Sequence, residues 1–190
     1  MPNYGLTAPR TVLDEALARH AQASGAHLFE NTQVTEAFFE GGWVAGVHAE
    51  VTDDRGRRTG ERVTFRAPLV IAADGVSSRT AVKMGIRKRD DRPMGVAVRT
   101  YFESPRHDDD FIESWLELRA DSGSGGSGEP LPGYGWLFPL GDGTINVGLG
   151  MLNTSPDFRR VDYKKTLHQW VGSVGQRWGI DPDAALTDAK

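Results

Sequence analysis

Apolar positions recur with a helical period at Val12, Leu13, Ala16, Leu17 and Ala21. Thr7 or Ala8 near the cap and Pro9 in the first turn mark the start of that helix, and Gly25 its end. The period then changes to two. Ala26–Phe29 reads as a short strand, and Gln33–Phe39, Trp43–Val51 and Arg62–Ala67 follow as strands joined by turns at Glu40-Gly41-Gly42 and Asp53–Arg57. Val44, Gly46, His48 and Glu50 alternate with Ala45, Val47, Ala49 and Val51, the pattern of a half-buried sheet. Leu69-Val70-Ile71-Ala72-Ala73 differs: it is a continuous apolar run stopped by Asp74-Gly75, which suits a strand buried on both faces of a parallel sheet. A short helix is predicted over Thr80–Met84.

Beyond Arg92-Pro93 the pattern is mainly that of antiparallel strands. Met94–Phe102 alternates, and Phe111–Arg119 is a second strand candidate. Asp121–Glu129 is rich in glycine and serine and predicts a flexible loop; a natural mobile loop over a binding site and an artificial linker share that composition. Pro132–Leu140 and Thr144–Gly150 predict a hairpin around Gly141-Asp142-Gly143. Tyr163, Leu167, Trp170, Val171 and Val174 lie on one face of an amphipathic helix, and no element is indicated after Gly179. These elements predict an α/β (α+β) chain in three parts. Residues 1–89 are part of a Rossmann-like nucleotide domain with an antiparallel meander inserted between parallel strands. Residues 90–178 are an antiparallel-sheet domain, and 179–190 a tail.

The strand around Trp136 is unusual. Tyr134, Trp136 and Phe138 share one face, while Gly133, Gly135 and Leu137 occupy the other. A three-residue turn places Trp136 opposite Gly148 and Tyr134 opposite Gly150, leaving an aromatic-walled slot. A two-residue turn places Val147 and Leu149 behind the aromatics as ordinary core.

Composition narrows the picture. A hydrophobic fraction of 38% with 25% charged residues fits a folded, water-soluble chain. The net charge of −4 argues against a broad nucleic-acid-binding face, and no apolar run is long enough to span a membrane. The absence of cysteine removes disulfides, thiolate catalysis and cysteine metal sites, and fits a cytoplasmic setting. The five histidines show no metal-ligand spacing and are expected at the surface, so no metal site is expected.

Two places carry candidate chemistry. Asp74-Gly75 puts a carboxylate and bare backbone at the carboxyl end of a predicted strand, where open α/β sheets bind ligands. Arg10 sits in the first turn of a helix, against the dipole preference, and there it either points to solvent or meets an anion.

With these stretches together, the chain resembles the geranylgeranyl reductase family of FAD-dependent oxidoreductases, flavoproteins built like the aromatic hydroxylases. Three stretches carry the likeness: Arg10-Thr11-Val12-Leu13-Asp14 leading the first helix, Ala73-Asp74-Gly75-Val76-Ser77-Ser78-Arg79, and Pro132–Pro139 followed by Asn146-Val147-Gly148-Leu149-Gly150. The third is the most specific, and the nearest likeness is to actinobacterial-type members that reduce isoprenoid double bonds, including those of menaquinone side chains. The resemblance implies FAD as cofactor, contacted by Arg10, Asp74 and Gly75. It also implies a prenyl substrate lined by Tyr134, Trp136, Phe138 and Pro139 beside Gly148 and Gly150. It further implies an electron donor, NAD(P)H or a ferredoxin, and transient contact with a membrane surface from the cytoplasm. No Gly-x-Gly-x-x-Gly precedes a first strand, and the family's second Gly-Asp motif is missing, so an internal portion of a longer enzyme is expected, inactive alone. Two other readings stay open: a flavin monooxygenase acting on an aromatic or polyketide substrate, and a non-catalytic fragment that binds lipid or does nothing alone.

Overall fold

The computed structural model describes residues 4–86, 91–121, 127–154, 158–187 and 189–190. The chain forms two compact units, one made of Met1–Glu15 with Asp91–Lys190, the other of Ala16–Asp90.

The division falls within the first helix, α1 (Arg10–Ala23). Its end is closed by Gly25 N–H to the Gln22 carbonyl and Ala26 N–H to the Ala21 carbonyl, both 3.0 Å, the paired bonds of a glycine-terminated helix. No residue of α1 is buried, and Val12 and Leu17 are each 61% exposed. The helical period therefore predicts the helix, but its apolar stripe stays open to solvent.

In the Ala16–Asp90 unit, β1 (Thr32–Glu40), β2 (Trp43–Thr52) and β3 (Arg58–Arg66) form an antiparallel sheet in that order. The expected meander is thus present, with β2 central. Register shifts at Val34/Glu36 and Phe38/Phe39 bend β1. His48, expected as a surface residue, is half-buried: its ring stacks on Phe38 at 4.9 Å between centroids and its Nδ1 lies 3.0 Å from the Thr64 hydroxyl. The strands expected at Ala26–Phe29 and Leu69–Ala73 do not form ladders, and Leu69 and Ile71 are 73% and 80% exposed. An apolar run becomes a central strand only where neighbouring strands pair its backbone and both faces are covered. The described residues supply neither. The predicted short helix is α2 (Arg79–Lys83), whose first turn is capped by the Ser78 hydroxyl accepting from the Ala81 N–H at 3.0 Å.

The other unit is built on a four-stranded antiparallel sheet. Its strands are β4 (Gly95–Glu103), β5 (Glu113–Trp115), β8 (Gly133–Pro139) and β9 (Thr144–Leu152), in the spatial order β4-β9-β8-β5. The strand expected over Phe111–Arg119 is broken: only β5 joins this sheet, and β6 (Arg119–Asp121) pairs with β7 (Ser127–Pro130) instead. The middle of the expected Gly/Ser-rich loop, 122–126, lies outside the described residues. On one face of the sheet, Val98, Phe102, Leu137, Ile145, Val147 and Leu149 pack with α3 (Tyr163–Val174), whose Leu167, Trp170, Val171 and Val174 are buried. Asp162 caps α3 by accepting from the Lys165 N–H at 3.0 Å. A 3-10 turn over Gly175–Trp178 follows, and the fully buried Trp178 completes this core. The segment after Gly179 is not a loose end. Arg99 and Lys190 exchange both backbone hydrogen bonds, at 2.9 and 3.0 Å, and the Leu186 N–H reaches the Tyr101 carbonyl at 2.8 Å, so the segment lies along the outer edge of β4.

Candidate functional site

The Asp-Gly turn belongs to the Ala16–Asp90 unit. Hydrogen bonds from the Ser78 hydroxyl and the Thr80 N–H hold the Asp74 carboxyl down at about 2, so it is a carboxylate at neutral pH. An ionised carboxylate only accepts hydrogen bonds, so a ligand meeting Asp74 must present a donor such as a sugar or ribityl hydroxyl, not a phosphate. Gly75 has φ +79°, a left-handed backbone that suits glycine, and a Cβ built there meets nothing within 4 Å. The turn thus offers bare, accessible backbone beside a fixed acceptor, and both fit one flank of a dinucleotide.

Arg10 and the aromatic strand belong to the other unit, and the fold ties them together. The Thr7 hydroxyl donates to the Pro139 carbonyl, anchoring the start of α1 at the end of β8. The Arg10 guanidinium is exposed and forms a two-pronged pair with Asp14, at 2.8 and 2.9 Å. This pair raises the guanidinium pKa and lowers that of the Asp14 carboxyl. The odd position of Arg10 is therefore stabilised locally by an i,i+4 carboxylate, with the outer edge of the fork open to an anion.

The aromatic strand adopts the register of the three-residue turn: Trp136 faces Gly148, Tyr134 faces Gly150 and Phe138 faces Asn146. The slot between Trp136 and Gly148 is filled by the indole itself. A Cβ on Gly148 would lie 2.3 Å from Trp136 Cζ2, so glycine is what lets the ring lie flat on β9. Trp136 is only 9% exposed, whereas Tyr134 is 48% exposed beside Gly150. The three rings form a row, with centroids 5.8 Å apart from Tyr134 to Trp136 and 6.1 Å from Trp136 to Phe138. Register and alternation put Pro139, expected to line the same cavity, on the opposite face with Leu137 and Val147.

Three residues of this face carry roles that motif reading did not assign. Buried Asn146 accepts the Trp136 Nε1–H at 2.7 Å, locking the ring plane. Its sequence signal is a lone polar side chain inside the apolar run Ile145–Leu152. Arg99 and Tyr101, on β4, pair with Gly148 and Asn146 across β9 and so share the aromatic face. The Arg99 Nη1 donates to the Tyr101 hydroxyl at 2.6 Å. Among the described residues no cluster of His, Asp and Glu could hold a metal ion. Chemically, this face offers flat apolar area with one fixed indole, and hydrogen-bonding and cationic groups on β4, two strands away across β9.

Comparisons with known proteins give the family. A family model described as an FAD binding domain matches residues 1–179. A menaquinone reductase of Mycolicibacterium smegmatis is 32% identical over 98% of the chain and 42% of its own length. A digeranylgeranylglycerophospholipid reductase of Methanocella arvoryzae is 33% identical over 78% of the chain and 34% of its own length. Among solved structures, a geranylgeranyl bacteriochlorophyll reductase-like protein of Thermoplasma acidophilum matches with a TM-score of 0.66 at 26% identity, over 86% of this chain and 37% of that one. A flavin-dependent brominase matches with a TM-score of 0.63 at 14% identity, which speaks to the fold alone. The chain spans about 42% of the M. smegmatis relative and less of the others, so it corresponds to part of their length.

Proposed function

The chain belongs to the FAD binding domain family, and on that premise we propose that it is part of a reductase that saturates carbon–carbon double bonds of a prenyl chain. The observation that carries this reading is the aromatic row held by Asn146 and Gly148, because a flat, apolar, rigid wall suits an extended isoprenoid that offers no hydrogen bonds of its own. The names of the relatives, menaquinone reductase and digeranylgeranylglycerophospholipid reductase, support the same substrate class.

FAD, when bound, supplies in its reduced form the hydride for such a double bond. Everything else is the work of side chains in the chain itself. Arg10 presents its guanidinium to a phosphate of the cofactor, Asp74 accepts from a hydroxyl, and Gly75 lets the cofactor approach the main chain. Trp136, buried and unable to rotate while its N–H is held, sets the plane of the row from behind, and the prenyl chain lies along the more open Tyr134. Tyr134 and Phe138 extend that plane and exclude water from it. Gly150 leaves room beside the half-exposed Tyr134. In this reading electrons come from NAD(P)H or a ferredoxin, and the lipid is met from the cytoplasm at a membrane surface. No helix among the described residues is long and apolar enough to cross a membrane.

The test is flavin occupancy. Protein containing this chain within the full length of its relatives is purified as wild type and as Arg10→Gln and Gly75→Val, and its visible flavin bands are compared. The expected result is yellow wild-type protein and lower occupancy in both variants. Colourless wild-type protein, even after incubation with FAD, overturns the reading.

A further inference from the structure

Among the described residues β5 pairs on one side only, with β8, so it is an edge of the four-stranded sheet. Natural edge strands are commonly blunted by charge or proline. The inward positions of β5 are satisfied: Trp115 packs against the core, and the Glu113 carboxylate lies 3.6 Å from the Arg106 guanidinium. The residues that flank the strand are apolar and open. Phe111 is 74% exposed, Ile112 58% and Leu116 77%. The strand beneath them is fixed, because the Trp115 indole donates to Glu113 at 3.3 Å and the Arg177 guanidinium lies 5.6 Å from the Trp115 ring. Unlike α1 and the Leu69–Ala73 run, β5 belongs to a sheet with a closed core of its own. Large apolar groups gathered on a water-facing edge mark a contact surface.

Charge selects the partner. Residues 108–117 hold five acidic side chains and no Lys or Arg. Asp109 and Glu113 are engaged by Arg106, while Asp108, Asp110 and Glu117 are exposed beside the apolar residues in sequence. A second copy of the chain would set an equal group of acids against the first, and an anionic surface would be repelled in the same way. The ammonium groups of zwitterionic lipid headgroups complement these acids, while the apolar side chains enter below the headgroups. We propose that the Phe111–Leu116 edge is a docking surface for a zwitterionic lipid bilayer. Ser114, the middle residue of β5, pairs with Trp136, so a prenyl chain leaving the bilayer at this edge meets the aromatic row on the neighbouring strand. The choice of lipid as partner rests on the prenyl reading proposed above; the exposed edge itself does not.

The test is partition onto phosphatidylcholine vesicles, by co-sedimentation, of protein containing this chain within the full length of its relatives. Wild type is expected to bind and to stay bound as salt rises, because salt screens charge and not apolar burial. Phe111→Asp and Leu116→Asp should each lower partition about tenfold or more, the loss of one large buried apolar side chain. Leu116→Trp should retain it, since tryptophan suits the membrane interface. Trp43→Asp, at a position 81% exposed on the meander, should leave partition unchanged. Circular dichroism melts check folding, and Phe111→Ser and Leu116→Ser carry the comparison if an Asp variant melts early. Several results overturn the surface: no binding by wild type, equal partition in wild type and both β5 variants, or loss in Trp43→Asp alone. Tighter binding to phosphatidylglycerol that salt abolishes also overturns it, as does a wild-type dimer that Leu116→Asp dissociates. Partition is read without turnover. Inactive protein that binds vesicles through β5 therefore removes the reductase reading and leaves the surface, and active protein that does not bind removes the surface alone.

Discussion

Asn146 and Gly148 do more than their size suggests, because each determines where one indole lies. Removing the Asn146 amide leaves a buried N–H without an acceptor, so Asn146→Ala is expected to lower stability by about 1–3 kcal/mol in urea unfolding. Gly148→Ala forces a Cβ to within 2.3 Å of Trp136 and 2.7 Å of the Val98 carbonyl. It is expected to cost about 1–3 kcal/mol and to move tryptophan fluorescence as the ring is displaced. Asp74 makes a prediction in pH. Its folded pKa, about 2, lies below the unfolded carboxylate value of about 3.9. Its hydrogen bonds therefore add stability that is fully present above pH about 4 and is lost as pH falls through about 2. In a carboxyl-carbon NMR titration, Ser78→Ala should raise the Asp74 midpoint, since the Ser78 hydroxyl is the largest cause of the lowering. An unchanged midpoint would show that the hydroxyl does not hold the carboxylate.

At the scale of elements, the apolar surface of α1 and of the Leu69–Ala73 run is open. Leu69→Ser and Ile71→Ser should therefore change the melting of this chain by less than about 0.5 kcal/mol, although both would be severe in a buried strand. A loss of several kcal/mol would mean that the run is packed in this chain. The same elements show what sequence reading reaches. α1, the meander, the β8–β9 hairpin and α3 were legible because period, glycine stops and turn residues agree within each segment. The two parallel strands were legible as apolar runs, but a strand exists only with its neighbours, and no local pattern reports whether those are present. The aromatic row was legible from Tyr134, Trp136 and Phe138. The filling of its slot by Trp136 depended on a turn register that composition leaves open. Arg99 and Tyr101 escaped notice because they sit on a different strand, about 35 to 50 residues before the aromatics and their glycines, and only the β4–β9 ladder brings them alongside.

For the whole molecule, two compact units divide the candidate chemistry: the Asp74-Gly75 turn lies in one, while Arg10 and the aromatic row lie in the other. Exposed large apolar side chains on α1 and at Leu69 and Ile71 belong to elements expected of a nucleotide domain. That agrees with a chain spanning about 42% of a menaquinone reductase. The measurement that tests the central claim most directly is the mass of the product. Protein containing this chain within the full length of its relatives is loaded with FAD, reduced anaerobically with dithionite and incubated with menaquinone, and the quinone is then extracted for mass spectrometry. The account predicts a menaquinone that has gained two hydrogens in its prenyl tail, with the yield falling sharply in Trp136→Ala. An unaltered tail with fully reduced flavin, or a product that has instead gained an oxygen atom once air is admitted, would contradict it.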